Sequence, residues 1–367
     1  MDRDKIITAA ELMDIQFLPR STVVDGMLPA GCYILAGVPK VGKSFLMAQL
    51  CWCVATGTPF LGQPTHRSQV LYLSLEDTGE RVQGRLIRMF GVEHPVGRLH
   101  LKFETDLRGR DLLAMLEGFF MDHPSIRLVV IDTFQRVREG GGAQYSYQSD
   151  YEEIRPFKEF TDIHDVALIL VHHTRKNTES ENSFDRISGT NGLLGAADGA
   201  FLLYREKGRV ILDQTGKDLP GQRMILDFDP QRCLWTVVSR EAGIAEPPEP
   251  LLDLIDQVIG GGWQGTATEL LERLRRLDPE LPYRANTLTR KLNALTRRLK
   301  EEKGIEYWKS RRPESRQLTF LRTEDEEEDE ENDDDDDEDD SVPAGEIPSL
   351  PSSDQQANEG GGLHGKV

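Results

Sequence analysis

Gly37-Val38-Pro39-Lys40-Val41-Gly42-Lys43-Ser44 fits the pattern GxxxxGK[ST] at every fixed position. The apolar run Cys32–Ala36 (CYILA) precedes it, and the apolar stretch SFLMAQLCWCVA (residues 44–55) follows it. Strand, glycine-rich turn and helix form the context in which this pattern has a physical meaning. The glycines let the backbone curl so that successive N–H groups point inward at phosphate oxygens. The following helix adds the positive end of its dipole. Lys43 supplies a mobile cation to the phosphates, and Ser44 a hydroxyl ligand for Mg2+. Residues Gly37, Val38, Pro39, Lys40, Val41, Gly42, Lys43, Ser44 and Phe45 are therefore the expected binding residues for a nucleotide.

Outward from this loop, short apolar runs alternate with helical stretches. The expected strands are Cys32–Ala36, Gln69–Leu75, Leu99–Phe103, Leu128–Ile131, Ala167–Val171 and Ala200–Tyr204. The expected helices are Ser44–Ala55, Gly79–Phe90, Asp111–Met121 and Glu152–Thr161. The runs LVVI and ALILV are apolar on consecutive residues, as strands covered on both faces should be. The alternation predicts an α/β fold with a mostly parallel sheet and helices on both sides. Arg209–Asp213, Met224–Phe228 and Leu234–Val238 are separated by Gly, Pro and Asp and read as antiparallel strands finishing the sheet. This first domain is expected over residues 1–245, with a stiff proline-rich linker at 246–250. Beyond it, Leu251–Ile259, Ala267–Leu277 and Ala285–Lys300 read as amphipathic helices. Ile305–Lys309 and Gln317–Arg322 read as a hairpin joined by a basic turn. Three helices and a hairpin over 251–322 match the winged-helix pattern. Residues 323–367 form an acidic, low-complexity tail that is expected to stay disordered, because it offers too little apolar surface to fold.

The chain has 367 residues, 38% hydrophobic and 29% charged, which is about two domains' worth. Its net charge of −19 is concentrated in the tail, where 19 Asp and Glu face only Lys366. Residues 263–322 hold 15 Lys and Arg against 8 Asp and Glu. The acidic total thus leaves a nucleic-acid partner open. No apolar run approaches the roughly 18 residues of a membrane span. The start, MDRDKIITAAELMD, does not read as a secretory signal. Cys32, Cys51, Cys53 and Cys233 show no metal-ligand spacing, and a reducing, cytoplasmic setting is expected.

Other polar residues at predicted strand ends complete the candidate site. Asp132 closes LVVID and is placed to join the Mg2+ shell. Glu76 and Asp77 close LYLSLED, where one carboxylate can orient an attacking water and the other can cap the next helix. Arg81 and Arg85, four apart, share a helix face that reads first as solvated surface. His172 and His173 end the strand of ALILV, and alternation lets only one of them face a ligand there. Arg205 closes AFLLY and Arg186 lies in the loop before it. Either is a candidate for an arginine acting across a subunit boundary.

The runs DGMLPAGCYILAGVPKVGKSFLMAQLCWCVATGTPFLG, VLYLSLEDTGERVQGRL, LVVIDTF, ILVHHTRK and ISGTNGLLGAADGAFLLYR resemble the RepA-type AAA family ATPases, RecA-fold proteins of plasmids, phages and mobile elements. The resemblance covers roughly residues 15–240. It implies ATP and Mg2+ as cofactors and hydrolysis coupled to DNA, with hexameric replicative helicases among the family. By residue it implies Lys43 and Ser44 on the phosphates and metal, Glu76 as base, Asp132 on Mg2+, and His172 or His173 as γ-phosphate sensor. No arginine finger maps cleanly. It also implies that two loops line a channel for single-stranded DNA: Gln135–Tyr147, and Arg175-Lys176-Asn177 onward to Gly192. The C-terminal segment is similar to winged-helix segments of phage and plasmid replication proteins. There Arg284, Arg290, Lys291, Arg297 and Arg298, with Arg311, Arg312 and Arg316 of the wing, are expected to meet duplex phosphates.

Overall fold

The computed structural model describes residues 6–93, 96–138, 147–174, 192–217, 219–242, 248–311 and 316–323. The chain opens with helix α1 (Ala9–Met13) and a short antiparallel pair, β1 (Thr22–Val24) and β2 (Leu28–Pro29). β3 (Gly31–Gly37) then leads through the glycine-rich loop into α2 (Lys43–Thr56). β4 (Gln69–Ser74), α3 (Gly79–Phe90), β5 (Leu99–Lys102), α4 (Gly109–Asp122) and β6 (Ile126–Asp132) follow. After them come α5 (Tyr147–His164), β7 (Ala167–His173), α6 (Gly192–Ala196) and β8 (Gly199–Glu206). Three antiparallel strands, β9 (Arg209–Gly216), β10 (Gln222–Asp229) and β11 (Leu234–Ala242), complete a nine-stranded sheet. Its order is β11-β10-β9-β8-β3-β7-β6-β4-β5.

The sheet is parallel from β8 through β5, and its strands alternate between two cores. Leu35, Leu128, Val130, Ile169 and Val171 face Leu46, Met47 and Leu50 of α2. Ile34, Val129, Ile131, Leu168 and Leu170 face Leu112 and Leu116 of α4 and Ile154 and Phe157 of α5. Neighbours in one strand thus serve opposite cores, so the central strands are apolar at every position. Each such buried side chain contributes about 1.5–3 kcal/mol. Because β3, β4, β6 and β7 run the same way, their carboxyl ends share one edge, the place where open α/β sheets hold ligands.

The C-terminal module comprises α7 (Pro250–Ile259), β12 (Gly262–Gly265), α8 (Ala267–Leu277), α9 (Ala285–Ala294), α10 (Thr296–Lys303), β13 (Ile305–Arg311) and β14 (Arg316–Arg322). Its antiparallel sheet has the order β12-β14-β13. Leu252, Ile255, Trp263, Leu270, Leu274, Leu288, Leu292, Leu299 and Phe320 form its core. Residues 285–300, expected as one helix, break at Leu295. The Thr296 hydroxyl donates to the carbonyls of Leu292 (3.2 Å) and Asn293 (2.9 Å), competing with the helical ladder. The N-terminal segment also docks on this module: α1 packs against α9, and residues 13–16 hydrogen-bond to α9 and β13. Among the described residues, no helix is long and apolar enough to cross a membrane, and all four cysteines are buried and unpaired. The tail from Glu324 onward lies outside the described residues.

Candidate functional site

The loop between β3 and α2 is shaped by two glycines with no room for a side chain. A Cβ on Gly37 would stand 2.4 Å from the Leu203 carbonyl oxygen of β8. Gly42 has φ 111°, and a Cβ there would stand 2.4 Å from Cζ2 of Trp235. Trp235, on β11, donates from its indole to the Gly42 carbonyl at 3.3 Å. Its backbone is clasped by the buried Gln49 of α2 through two bonds: Gln49 Nε2 donates to Trp235 O (2.9 Å), and Trp235 N donates to Gln49 Oε1 (2.8 Å). The last strand of the sheet thus braces the start of α2. No local signal in the sequence marks this contact.

Lys43 opens α2 and is almost fully buried. Its ammonium donates to the carbonyls of Gly37 (2.8 Å) and Val38 (3.2 Å) and lies 3.2 Å from His173 Nδ1. Burial pulls the Lys43 ammonium down to about 8, and the charges of Asp132 and Glu76 oppose that pull. Asp132, at the end of β6, is also buried, which pushes its carboxyl up. Hydrogen bonds to Ser44 and Tyr72 work the other way. The Tyr72 hydroxyl, from inside β4, donates to Asp132 Oδ2 at 3.1 Å. Tyr72 was legible only as an apolar strand residue, yet it orients the carboxylate.

Glu76 lies two residues beyond β4 with its carboxylate about half exposed. Its Oε1 accepts from the Thr133 hydroxyl at 3.0 Å, and its Oε2 stands 3.8 Å from His173 Nε2. Asp77 is occupied elsewhere, accepting from Arg85 at 2.7 Å. Arg85 is therefore not solvated surface. Its side chain is 12% exposed and its guanidinium lies 4.8 Å above the Phe45 ring. Phe45 continues to Phe228 (5.5 Å) and Phe228 to Trp235 (4.7 Å), while Arg81 remains exposed.

The two histidines separate as strand alternation demands. His173 reaches Lys43 and Glu76. His172 is buried near Phe134, with neither ring nitrogen hydrogen-bonded among the described residues. Burial pushes His172 down to about 4, with Arg138 and His173 adding repulsion. Arg205 is exposed at the end of β8, two residues past the Leu203–Gly37 pairing. Among the described residues, no hydrogen bond or ion pair joins it to the loop. Arg186, residues 139–146 and residues 175–191 lie outside the described residues, so most of both expected channel loops does too.

Ser44 and Asp132 are hard oxygen donors already hydrogen-bonded to each other, a pair that fits Mg2+. Among the described residues, no group of three or more His, Cys, Asp or Glu could hold a metal.

Residues 4–179 match the family model AAA_25, an AAA domain. The matched region contains Lys43, Ser44, Glu76, Asp132 and both histidines, and stops short of Arg205 and Trp235. No curated protein matches the chain. Among solved structures it is similar to a DnaB-like replicative helicase, with 14% identity over 64% of this chain and 68% of that one (TM-score 0.48). It is similar to a KaiC-like protein from Pyrococcus horikoshii, with 13% identity over 61% and 99% (TM-score 0.43). A third structure, described as an ATPase domain, shares 16% identity over 57% and 85% (TM-score 0.47).

On the C-terminal module, most of the expected DNA-contacting cations of α9 and α10 have acidic partners. Arg290 pairs with Asp14 (2.9 Å), Lys291 with Glu249 (2.5 Å), Arg297 with Glu301 (3.4 Å) and Arg298 with Glu302 (2.5 Å). Arg284 is exposed at the start of α9. Arg312 lies outside the described residues.

Proposed function

We propose that the chain is an ATP-hydrolysing RecA-like motor acting on DNA, a replicative helicase of a plasmid, phage or mobile element. In this reading it works as a ring of six copies, and its C-terminal module is a winged helix that meets duplex DNA. One observation carries the proposal: Lys43, Ser44, Asp132, Glu76 and His173, set at the ends of four parallel strands, converge at one edge of the sheet. Lys43 and the loop amides take the phosphates. Mg2+, held by Ser44 and Asp132, would neutralise charge on the transferred phosphoryl group. Thr133 holds one oxygen of Glu76, so the carboxylate is oriented to position a water as general base. His173, between Lys43 and Glu76, stands where loss of the γ-phosphate would be felt. Arg205, exposed at the same edge, and Arg186 both remain candidates for an arginine offered to a neighbouring copy.

Steady-state ATPase with and without single-stranded DNA tests this, with Lys43→Ala as the blank. Single strands should raise the rate. Glu76→Gln should lower turnover by about 10²–10⁴ while ATP still binds. Asp77→Asn should keep most activity, because Asp77 serves Arg85. Full activity in Lys43→Ala would refute the site. The alternative is an ATP-gated DNA-binding regulator or recombination accessory that unwinds nothing, in which nucleotide sets assembly and no strand is separated. A rate indifferent to DNA would put that reading first.

A further inference from the structure

Residues 13–16 grip two elements of the C-terminal module at once. Asp14 Oδ1 accepts from Arg290 Nε of α9 at 2.9 Å, and the Asp14 carbonyl accepts from Lys309 Nζ of β13. Asn293 of α9 donates to the Met13 carbonyl at 3.3 Å. Gln16 donates to the Tyr307 carbonyl at 2.5 Å and accepts from the Lys309 N–H at 3.1 Å. Its side-chain amide thus serves one acceptor and one donor of β13, an edge strand of its sheet, much as a neighbouring strand would.

The covered face is polar and cationic. Asn286, Arg290 and Asn293 are four and three residues apart and share one face of α9, while Leu288 and Leu292 enter the core. Lys309 adds a second cation, and both cations converge on Asp14. Little apolar burial anchors the strap: α1 has no buried residue, Leu12 and Met13 are 45% and 59% exposed, and Ile15 is half-buried. The Asp14–Arg290 pair is itself nearly half exposed. Such pairs are weak and salt-screened, so a stronger anion can replace this one.

We infer that the α9–β13 face is a binding surface for nucleic-acid phosphates, and that the N-terminal strap fills it with Asp14 standing between Arg290 and Lys309 in place of a phosphate. Strap and duplex then exclude one another. The strap offers one carboxylate there. A duplex offers a row of phosphates and gains from releasing counterions, so it displaces the strap at low salt. This rests on the reading of the module as DNA-binding.

The test uses three full-length proteins: wild type, Asp14→Asn/Gln16→Ala, and Arg290→Ala/Lys309→Ala. Circular dichroism reports their folding, and anisotropy of a short labelled duplex is followed across a salt series. The strap variant should bind about tenfold tighter at low salt. The Arg290/Lys309 variant should bind more weakly, with a log–log salt slope shallower by about 2. Adding duplex to wild type should speed hydrogen exchange in residues 8–16, which a purely structural strap would not do. If the strap variant binds no tighter while the Arg290/Lys309 variant loses DNA, the strap is no competitor and the inference fails with the DNA reading intact. If the Arg290/Lys309 variant binds as wild type does, the surface lies elsewhere and the inference fails. If no folded protein binds duplex at all, the DNA reading of the module falls and takes the inference with it.

Discussion

At the scale of single residues, two neighbours on β7 have opposite fates. His173 sits among charges at the sheet edge, and His172 is sealed behind it. With both ring nitrogens unpartnered among the described residues, His172 stays neutral down to about 4. In the unfolded chain it would take a proton near 6.5. Between those values the unfolded state binds more protons, so stability falls as pH drops through the window. The loss attributable to His172 is about 3 kcal/mol at most. His172→Leu should fold at neutral pH with a change of about 1 kcal/mol or less, since no hydrogen bond seen here is broken. Its stability should also lose this fall below pH 6.5. Urea unfolding at neutral and acidic pH reads both, and an unchanged pH slope would show that the fall comes from other groups. That a histidine belonged at this strand end was legible in the sequence. Which of the two faces the loop was not, because it depends on the register of β7 against β3, which pairs Ala36 with His172 and Gly37 with His173.

At the scale of elements, the glycine-rich loop does not hold its curve alone. α2 and β11 are joined by the Gln49–Trp235 clasp, and Trp235 fills the space beside Gly42. Gln49→Leu would leave a buried N–H and a buried carbonyl without these partners, costing about 2–3 kcal/mol. It should also raise KM for ATP more than it lowers kcat, because Gln49 touches the brace of the loop and none of the reacting groups. Urea unfolding and ATPase kinetics measure the two effects, and an unchanged KM would mean the loop needs no brace. The C-terminal module carries a parallel lesson. β12, with the sequence Gly-Trp-Gln-Gly, has no alternating pattern of its own. It is a strand because it pairs with β14 and sends Trp263 into the core.

At the scale of the whole molecule, charge is distributed as two opposed blocks, a tail of 19 acids and a C-terminal module of net positive charge. Polyanion against polycation is a general, salt-sensitive attraction. Removing residues 323–367 should therefore raise duplex affinity at low salt, and the gain should fade as salt rises. Anisotropy with the shortened chain checks this, and equal affinity with and without the tail at low salt would make it a simple solubilising extension. The strap and the tail separate in this experiment, because Asp14→Asn/Gln16→Ala alters the strap alone.

The sequence by itself determined whatever is local and periodic. The glycine-rich loop between strand and helix, the two-sided burial of the central strands, and the helix spans 79–90 and 267–277 follow from spacing and composition within a few residues. Only the tertiary structure decided the partnerships. Strand order β3-β7-β6-β4 brings Glu76, Asp132 and His173 beside Lys43. Packing of α2 against β11 sets Trp235 against Gly42, 193 residues away, and folding sets Asp14 against Arg290, 276 residues away. Contacts at such separations leave no period in the chain. They are chosen by which strands pair and which faces pack, and those choices are made by the molecule as a whole.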